Sequence, residues 1–237
     1  MKFYTVLLIF MIFFTVVLIP ADSHYNEAQT LYNQDNYRES IRVLEAREDP
    51  LEYKELYLLG LNYFRIREYQ KSIEALSSLL TQTEEFPTAH YYLSRSYLSL
   101  GDLDNAKEQI EYSLTYYPSS DYSHVVLGII LNQTDSPEEA LEALNKAVEL
   151  NPRNSWARNN LGLILMRRDK NEEALDHFQA AVEYSPNNAV YYNNLGITYE
   201  RLNKFQEAVQ SYEKAIELRP DFPRAESNLS RVRSYLR

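Results

Sequence analysis

The chain has 237 residues and a formal net charge of −10, with Lys+Arg 24 against Asp+Glu 34. That balance argues against nucleic-acid backbone as the main partner, because phosphate binding needs a basic surface. There is no cysteine, which excludes disulfides and cysteine-ligated zinc, and five glycines against 21 tyrosines suit packed helices better than a β-rich fold.

The N-terminus reads Met1-Lys2 and then an uncharged run from Phe3 to Ile19, closed by Pro20-Ala21-Asp22-Ser23. The run lies between the usual length of a secretory h-region and that of a spanning helix. Ala21-x-Ser23 offers small residues for a signal peptidase, so residues 1–23 are expected to be a signal peptide, with a retained N-terminal membrane anchor as the alternative. Lys2 is basic and the next basic residue is Arg38, so either reading places residues 24–237 outside the cytoplasm, which in a bacterium is the periplasm or cell envelope. An uncleaved segment would make the membrane a partner.

From Ala21 onward the chain repeats. Ser155-Trp-Ala-Arg-Asn-Asn-Leu-Gly162 and Ala189-Val-Tyr-Tyr-Asn-Asn-Leu-Gly196 superimpose at an offset of 34, and full-length units start at Tyr53, Pro87, Asp121, Ser155 and Ala189. A shorter, atypical unit precedes them, in which Arg47 stands in a column otherwise small or apolar. The eighth column reads Ala28, Gly60, Ser94, Gly128, Gly162, Gly196 and Ser230, and the twentieth Ser40, Ser72, Ala106, Ala140, Ala174 and Ala208. Small residues in both columns mark places where two helices approach closely. The seventh column, Leu59, Leu93, Leu127, Leu161, Leu195 and Leu229, supplies apolar core. Pro118, Pro152, Pro186 and Pro220 close their units, Ser136-Pro137-Glu138-Glu139 reads as a capped helix start, and Asp221 is placed to cap the last helix.

These columns resemble the tetratricopeptide repeat (TPR), a helix-turn-helix unit of 34 residues. The resemblance implies an all-α superhelical solenoid of about six repeats, near 21–52, 53–86, 87–120, 121–154, 155–188 and 189–222, with a C-terminal capping helix at 223–236. It also implies a concave groove lined by the second, fifth, sixth, ninth, twelfth and thirteenth positions.

On those columns two surfaces stand out. Asn160, Asn194 and Asn228 form a sixth-column ladder, reinforced by Asn159 and Asn193; an amide offers both a donor and an acceptor and can hold a peptide backbone without reading its sequence. Such asparagines also serve as plain scaffold. The N-terminal half carries Tyr57, Leu58, Tyr91, Tyr92, Tyr122, Val125 and Val126 with Arg65 and Arg95 nearby, and Trp156 marks the boundary of the halves. Amphipathic tyrosines suit an apolar segment of a partner or a small hydrophobic ligand. The expected partner is therefore a protein or peptide, with self-association through the irregular first unit a further option. Binding of chaperone C-termini is disfavoured, because the fifth column has no lysine. No catalytic or cofactor constellation is legible: His24, His90, His124 and His177 read as packing, and no phosphate loop, metalloprotease or nucleophile-elbow motif occurs. The expected function is a non-catalytic scaffold that binds a peptide in the concave groove, the alternative being a carrier of a small hydrophobic ligand.

Overall fold

A computed structural model of the chain describes residues 21–83 and 85–236, apart from the side chains of 21–23. Residues 1–20 of the signal or anchor segment therefore lie outside the described residues, as does Glu84, while residues 21–23 open α1. The described residues form thirteen helices and no strand: α1 (Ala21–Asn33), α2 (Tyr37–Glu45), α3 (Tyr53–Arg65), α4 (Tyr69–Gln82), α5 (Pro87–Leu100), α6 (Leu103–Tyr116), α7 (Asp121–Gln133), α8 (Pro137–Leu150), α9 (Ser155–Arg167), α10 (Asn171–Tyr184), α11 (Ala189–Arg201), α12 (Phe205–Leu218) and α13 (Pro223–Ser234). The architecture is an all-α superhelical solenoid of six helical pairs closed by α13.

The small columns act as the packing argument requires. A methyl group added at Gly60, Gly128, Gly162 or Gly196 would stand 2.5, 2.6, 2.7 or 2.6 Å from Leu76, Leu144, Phe178 or Tyr212 respectively. The large partner always sits sixteen residues on, in the second helix of the same pair. In the pairs that carry serine at a close crossing, a hydroxyl bridges the two helices: Ser40 Oγ donates to Ala28 O at 2.8 Å, Ser72 Oγ to Gly60 O at 2.8 Å and Ser94 Oγ to Ala106 O at 2.6 Å.

The turn inside each pair has one recurring feature that the sequence columns did not reveal. Asp35, Arg67, Gly101, Asp135, Asp169 and Asn203 all have positive φ, between 56° and 80°. They occupy the same column in all six pairs. Asp, Asn and Gly tolerate this left-handed region; Arg67 is the exception to that chemistry.

The expected helix starts are partly corrected. Pro137 does stand at the start of α8, but the Ser136 side chain makes no capping bond. Phe222, not Asp221, is the residue before α13, and it too caps with no side chain. Side-chain caps occur instead at Asp102, Ser120, Asn154 and Asn188, which receive the backbone N–H of Asn105, Ser123, Ala157 and Tyr191. A reciprocal capping box joins Glu52 and Glu55 at the start of α3.

Arg47, the residue out of place in its column, pairs with the carboxylate of Glu55. Both side chains are nearly or wholly buried, at 9% and 0% exposure. The irregular first pair is thus fastened to the second through a charge pair rather than by apolar contact alone.

First helices of successive pairs touch one another (α1 with α3, α3 with α5, α5 with α7, α7 with α9, α9 with α11, α11 with α13), whereas among the described residues no second helix touches the next second helix. The first helices therefore lie on the shorter, inner radius and line the concave face.

Candidate functional site

The two surfaces singled out on the first helices prove to be built differently. In the C-terminal half, the Asn194 Nδ2 donates to Asn159 Oδ1 at 2.9 Å, and Asn228 Nδ2 donates to Asn193 Oδ1 at 3.1 Å. Each bond joins a sixth-column amide to the fifth-column amide of the preceding pair. All four side chains are buried, with at most 8% exposure. They brace neighbouring repeats, the Nδ2 groups of Asn194 and Asn228 each donating across a repeat boundary. Asn160 differs: it is half-buried, and its Nδ2 donates to Trp156 O at 2.8 Å within its own helix. The spacing predicted that these amides share a face, but the superhelical offset that pairs them across repeats is not written in the spacing.

In the N-terminal half a cleft of about 360 Å³ opens between α3, α5 and the start of α7. Tyr57, Tyr91, Tyr92, Arg95, Tyr117 and Tyr122 line it, together with Pro87, Thr88 and the serines 113, 120 and 123. Of the expected floor, Leu58, Val125 and Val126 do not face it; they are 2%, 0% and 0% exposed and belong to the packing between helices. Tyr122 is open to solvent at 55% exposure. Sequence reading missed Thr88, although it stands in the same second column as Tyr122 and Trp156, and also Tyr117 and the three serines, which come from the end of α6, the α6–α7 connection and the first turn of α7.

The rings form two groups, which the Arg95 guanidinium bridges. Tyr57 lies 4.9 Å from Phe86 and 6.4 Å from Tyr92, Tyr92 lies 5.1 Å from Tyr91 and 5.3 Å from Phe64, and Tyr122 lies 6.5 Å from Trp156. Burial raises the pKa of Tyr57 and of Tyr91, so these phenols remain neutral hydrogen-bond donors at ordinary pH. The Arg95 guanidinium stands 4.6 Å from the Phe64 ring, 5.4 Å from Tyr91, 5.9 Å from Tyr92 and 5.6 Å from Trp156. It thereby touches first helices from three different pairs. Arg65 lies apart from this group: it is exposed and its Nε donates to Tyr32 Oη at 3.3 Å.

Two of the four histidines, His90 and His124, take hydrogen-bond partners, whereas the buried Nδ1 atoms of His24 and His177 have none among the described residues. His90 stacks on Tyr112 and Tyr116 and meets Gln109 Oε1 at 2.8 Å, and His124 Nε2 meets Pro118 O at 2.9 Å. Burial lowers the pKa of His177. Among the described residues no group of three or more His, Asp or Glu could hold a metal ion, and no helix is long and apolar enough to cross a membrane.

The tetratricopeptide repeat family is matched at residues 153–221 and 57–110, and a TPR repeat at 128–169. Together these spans cover more than half of the chain. Among solved structures, a chain of the APC/C hetero-tetramer Cut9–Hcn1 is similar at a TM-score of 0.76 and 17% identity, over 91% of this chain and 43% of its own length. This chain thus spans less than half of that one. PilF of Pseudomonas aeruginosa is similar at a TM-score of 0.73 and 14% identity, over 89% of this chain and 96% of its own. YrrB, described as a TPR protein with an unusual peptide-binding site, is similar at a TM-score of 0.54 and 26% identity, over 81% of this chain and 96% of its own. The first two likenesses speak to fold alone. No curated protein matches the chain significantly.

Proposed function

Because the chain belongs to the tetratricopeptide repeat family, we propose that it is a non-catalytic scaffold that binds a peptide segment of a partner protein in its concave groove. The observation that carries this reading is the cleft of about 360 Å³ on the inner face, walled by tyrosines whose rings bury area and keep a polar tip. YrrB's peptide-binding site supports the reading by likeness. The braced asparagines give the groove a rigid C-terminal half, and Asn160, half-buried where Asn194 and Asn228 are buried, is the most open residue of the ladder. A rigid, pre-formed groove reduces the ordering cost of binding.

The test is an array of immobilised peptides probed with the full chain and with two variants, Tyr122→Glu and Asn160→Ala. Tyr122 is exposed, so the substitution changes the groove without opening the core. Peptides that bind the wild type and are lost from Tyr122→Glu support the reading. An array that stays empty, or that binds wild type and variants alike, overturns it. A small hydrophobic ligand in the same cleft is the second reading, favoured by the five tyrosines among its eleven lining residues; native mass spectrometry of the purified chain would show it as a bound mass removed by Tyr122→Glu.

For location we propose the non-cytoplasmic side of a membrane, on the strength of the Phe3–Ile19 run and the scarcity of basic residues before Arg38. Protease added to intact cells, or to spheroplasts if the host has an outer membrane, should digest the repeat region, and protection from it would overturn the placement.

A further inference from the structure

The ninth column of the full-length pairs reads Leu61, Arg95, Ile129, Leu163 and Ile197. Four aliphatic residues and one arginine share a place on the inner face. The arginine is half-buried, lines the cleft, and pairs with no carboxylate among the described residues, although the chain carries ten more acidic than basic side chains. Its hydrogen bond, at 3.3 Å, goes to the Tyr91 hydroxyl. A guanidinium has five N–H donors, so most of its capacity is unused. Ring faces hold it from Phe64 on one flank to Trp156 on the other, which fixes its plane before any ligand arrives.

Resting on the peptide-groove reading above, we propose that Arg95 is the specificity-determining residue of that groove, and that it selects a peptide with an internal acidic side chain flanked by apolar residues. Three features support this occupant. The unpaired cation calls for an anion, and a planar guanidinium suits a carboxylate. Walls of Tyr57, Tyr91, Tyr92 and Tyr122 suit apolar neighbours on either side of it. Aromatic groups continue beyond Arg95 in both directions along the inner face, so the bound chain runs past the cation rather than ending on it, which makes the carboxylate a side chain rather than a C-terminus. α3, α5 and α7 stand side by side at about 8–10 Å per step. An extended peptide covers two such steps in about six residues.

Trp156 is the sole tryptophan and touches Arg95, so its fluorescence reports occupancy without a label. Three hexapeptides serve as probes at up to millimolar concentration. The first is acetylated and amidated with glutamate between phenylalanine and leucine; the second replaces that glutamate with glutamine; the third is the glutamine peptide with a free C-terminus. The glutamate peptide should bind about tenfold more tightly than the blocked glutamine peptide, the size of one charge-assisted hydrogen bond in a half-buried site. Arg95→Gln should reduce that preference to near unity while the residual, apolar binding persists. Equal binding of the glutamate and glutamine peptides, or a preference unchanged in Arg95→Gln, overturns the inference and leaves the scaffold reading standing. Tighter binding of the free C-terminus than of the internal glutamate also overturns it. If no hexapeptide binds while the array still returns groove-dependent peptides, this inference alone fails. If the array is empty as well, both fail.

Discussion

Replacing Gly162 with alanine tests the packing logic of the whole array. The new Cβ would stand 2.7 Å from Phe178 Cζ and 2.9 Å from both of its Cε atoms. Carbon atoms prefer about 3.5–4.0 Å, so the ring tip must retreat by about 1 Å. Phe178 is fully buried and has nowhere to retreat without moving a helix. Overpacking of this kind costs about 1–3 kcal/mol, against which alanine's better helix propensity returns up to about 1 kcal/mol. A net loss of about 1–2 kcal/mol is expected. Urea unfolding followed by far-ultraviolet circular dichroism would measure it. The Ser94–Ile110 crossing shows that a small side chain and a branched aliphatic fit the same two columns. In a Phe178→Ile background the cost of Gly162→Ala should therefore shrink, a coupling that a double-mutant cycle isolates. A variant as stable as wild type, or a cost unchanged in the Phe178→Ile background, would refute the close-approach explanation.

Other outcomes follow from other contacts. Arg47→Ala leaves the Glu55 carboxylate buried without its partner and should cost about 3–5 kcal/mol in urea unfolding, while Arg47→Met with Glu55→Gln should recover most of it. Asn194→Ala removes the donor from Asn159 Oδ1 and should cost about 1–2 kcal/mol, whereas Asn160→Ala, which loses one bond within its own helix, should cost less in the same assay. Arg67→Asn relieves an arginine of a left-handed backbone and should stabilise by about 0.5–1 kcal/mol; a loss would mean that the Arg67 side chain contributes something the turn geometry does not reveal. Hydrogen bonds from Arg231, aided by one from the Tyr212 hydroxyl, hold the Glu200 pKa below its ordinary value. A carboxylate depressed in the folded state contributes stability above its unfolded pKa and loses it as pH falls through the folded one. The stability difference between wild type and Glu200→Gln should therefore be fully present at neutral pH and fade below about pH 4.

The repeat and its helices were legible because close packing leaves a mark on single columns. Gly60, Gly128, Gly162 and Gly196 could be read as contact points before the large residues they face were known. The groove's chemistry was less legible, for identifiable reasons. Asn194 pairs with Asn159 and Asn228 with Asn193 because the superhelix offsets each helix against the last, and a column alignment carries no such offset. Arg47 was visible as an anomaly in its column, but its partner Glu55 belongs to the next pair's capping box. Arg95 broke an aliphatic column just as plainly. Its significance depends on Phe64 and Trp156, which the fold brings to it from separate pairs. Tyr117 and Ser120 of the cleft lie in the α6–α7 connection, where the repeat pattern makes no demand on side-chain type, and Thr88 lies in a groove column that fixes its place but not its chemistry.

The left-handed residue at Asp35, Arg67, Gly101, Asp135, Asp169 and Asn203 closes the turn of every pair in the same way, so the array is one thread repeated along a screw. A screw can be lengthened only by whole threads. Duplicating residues 155–188 would add one step to the groove and leave both the Arg95 cage and α13 in their own surroundings. Deleting a single residue inside a helix would instead turn everything after it by about 100° about that helix's axis and swing its apolar face toward water. Groove length in this protein is thus an integer, and the reach of its ligand changes in jumps of about three extended residues.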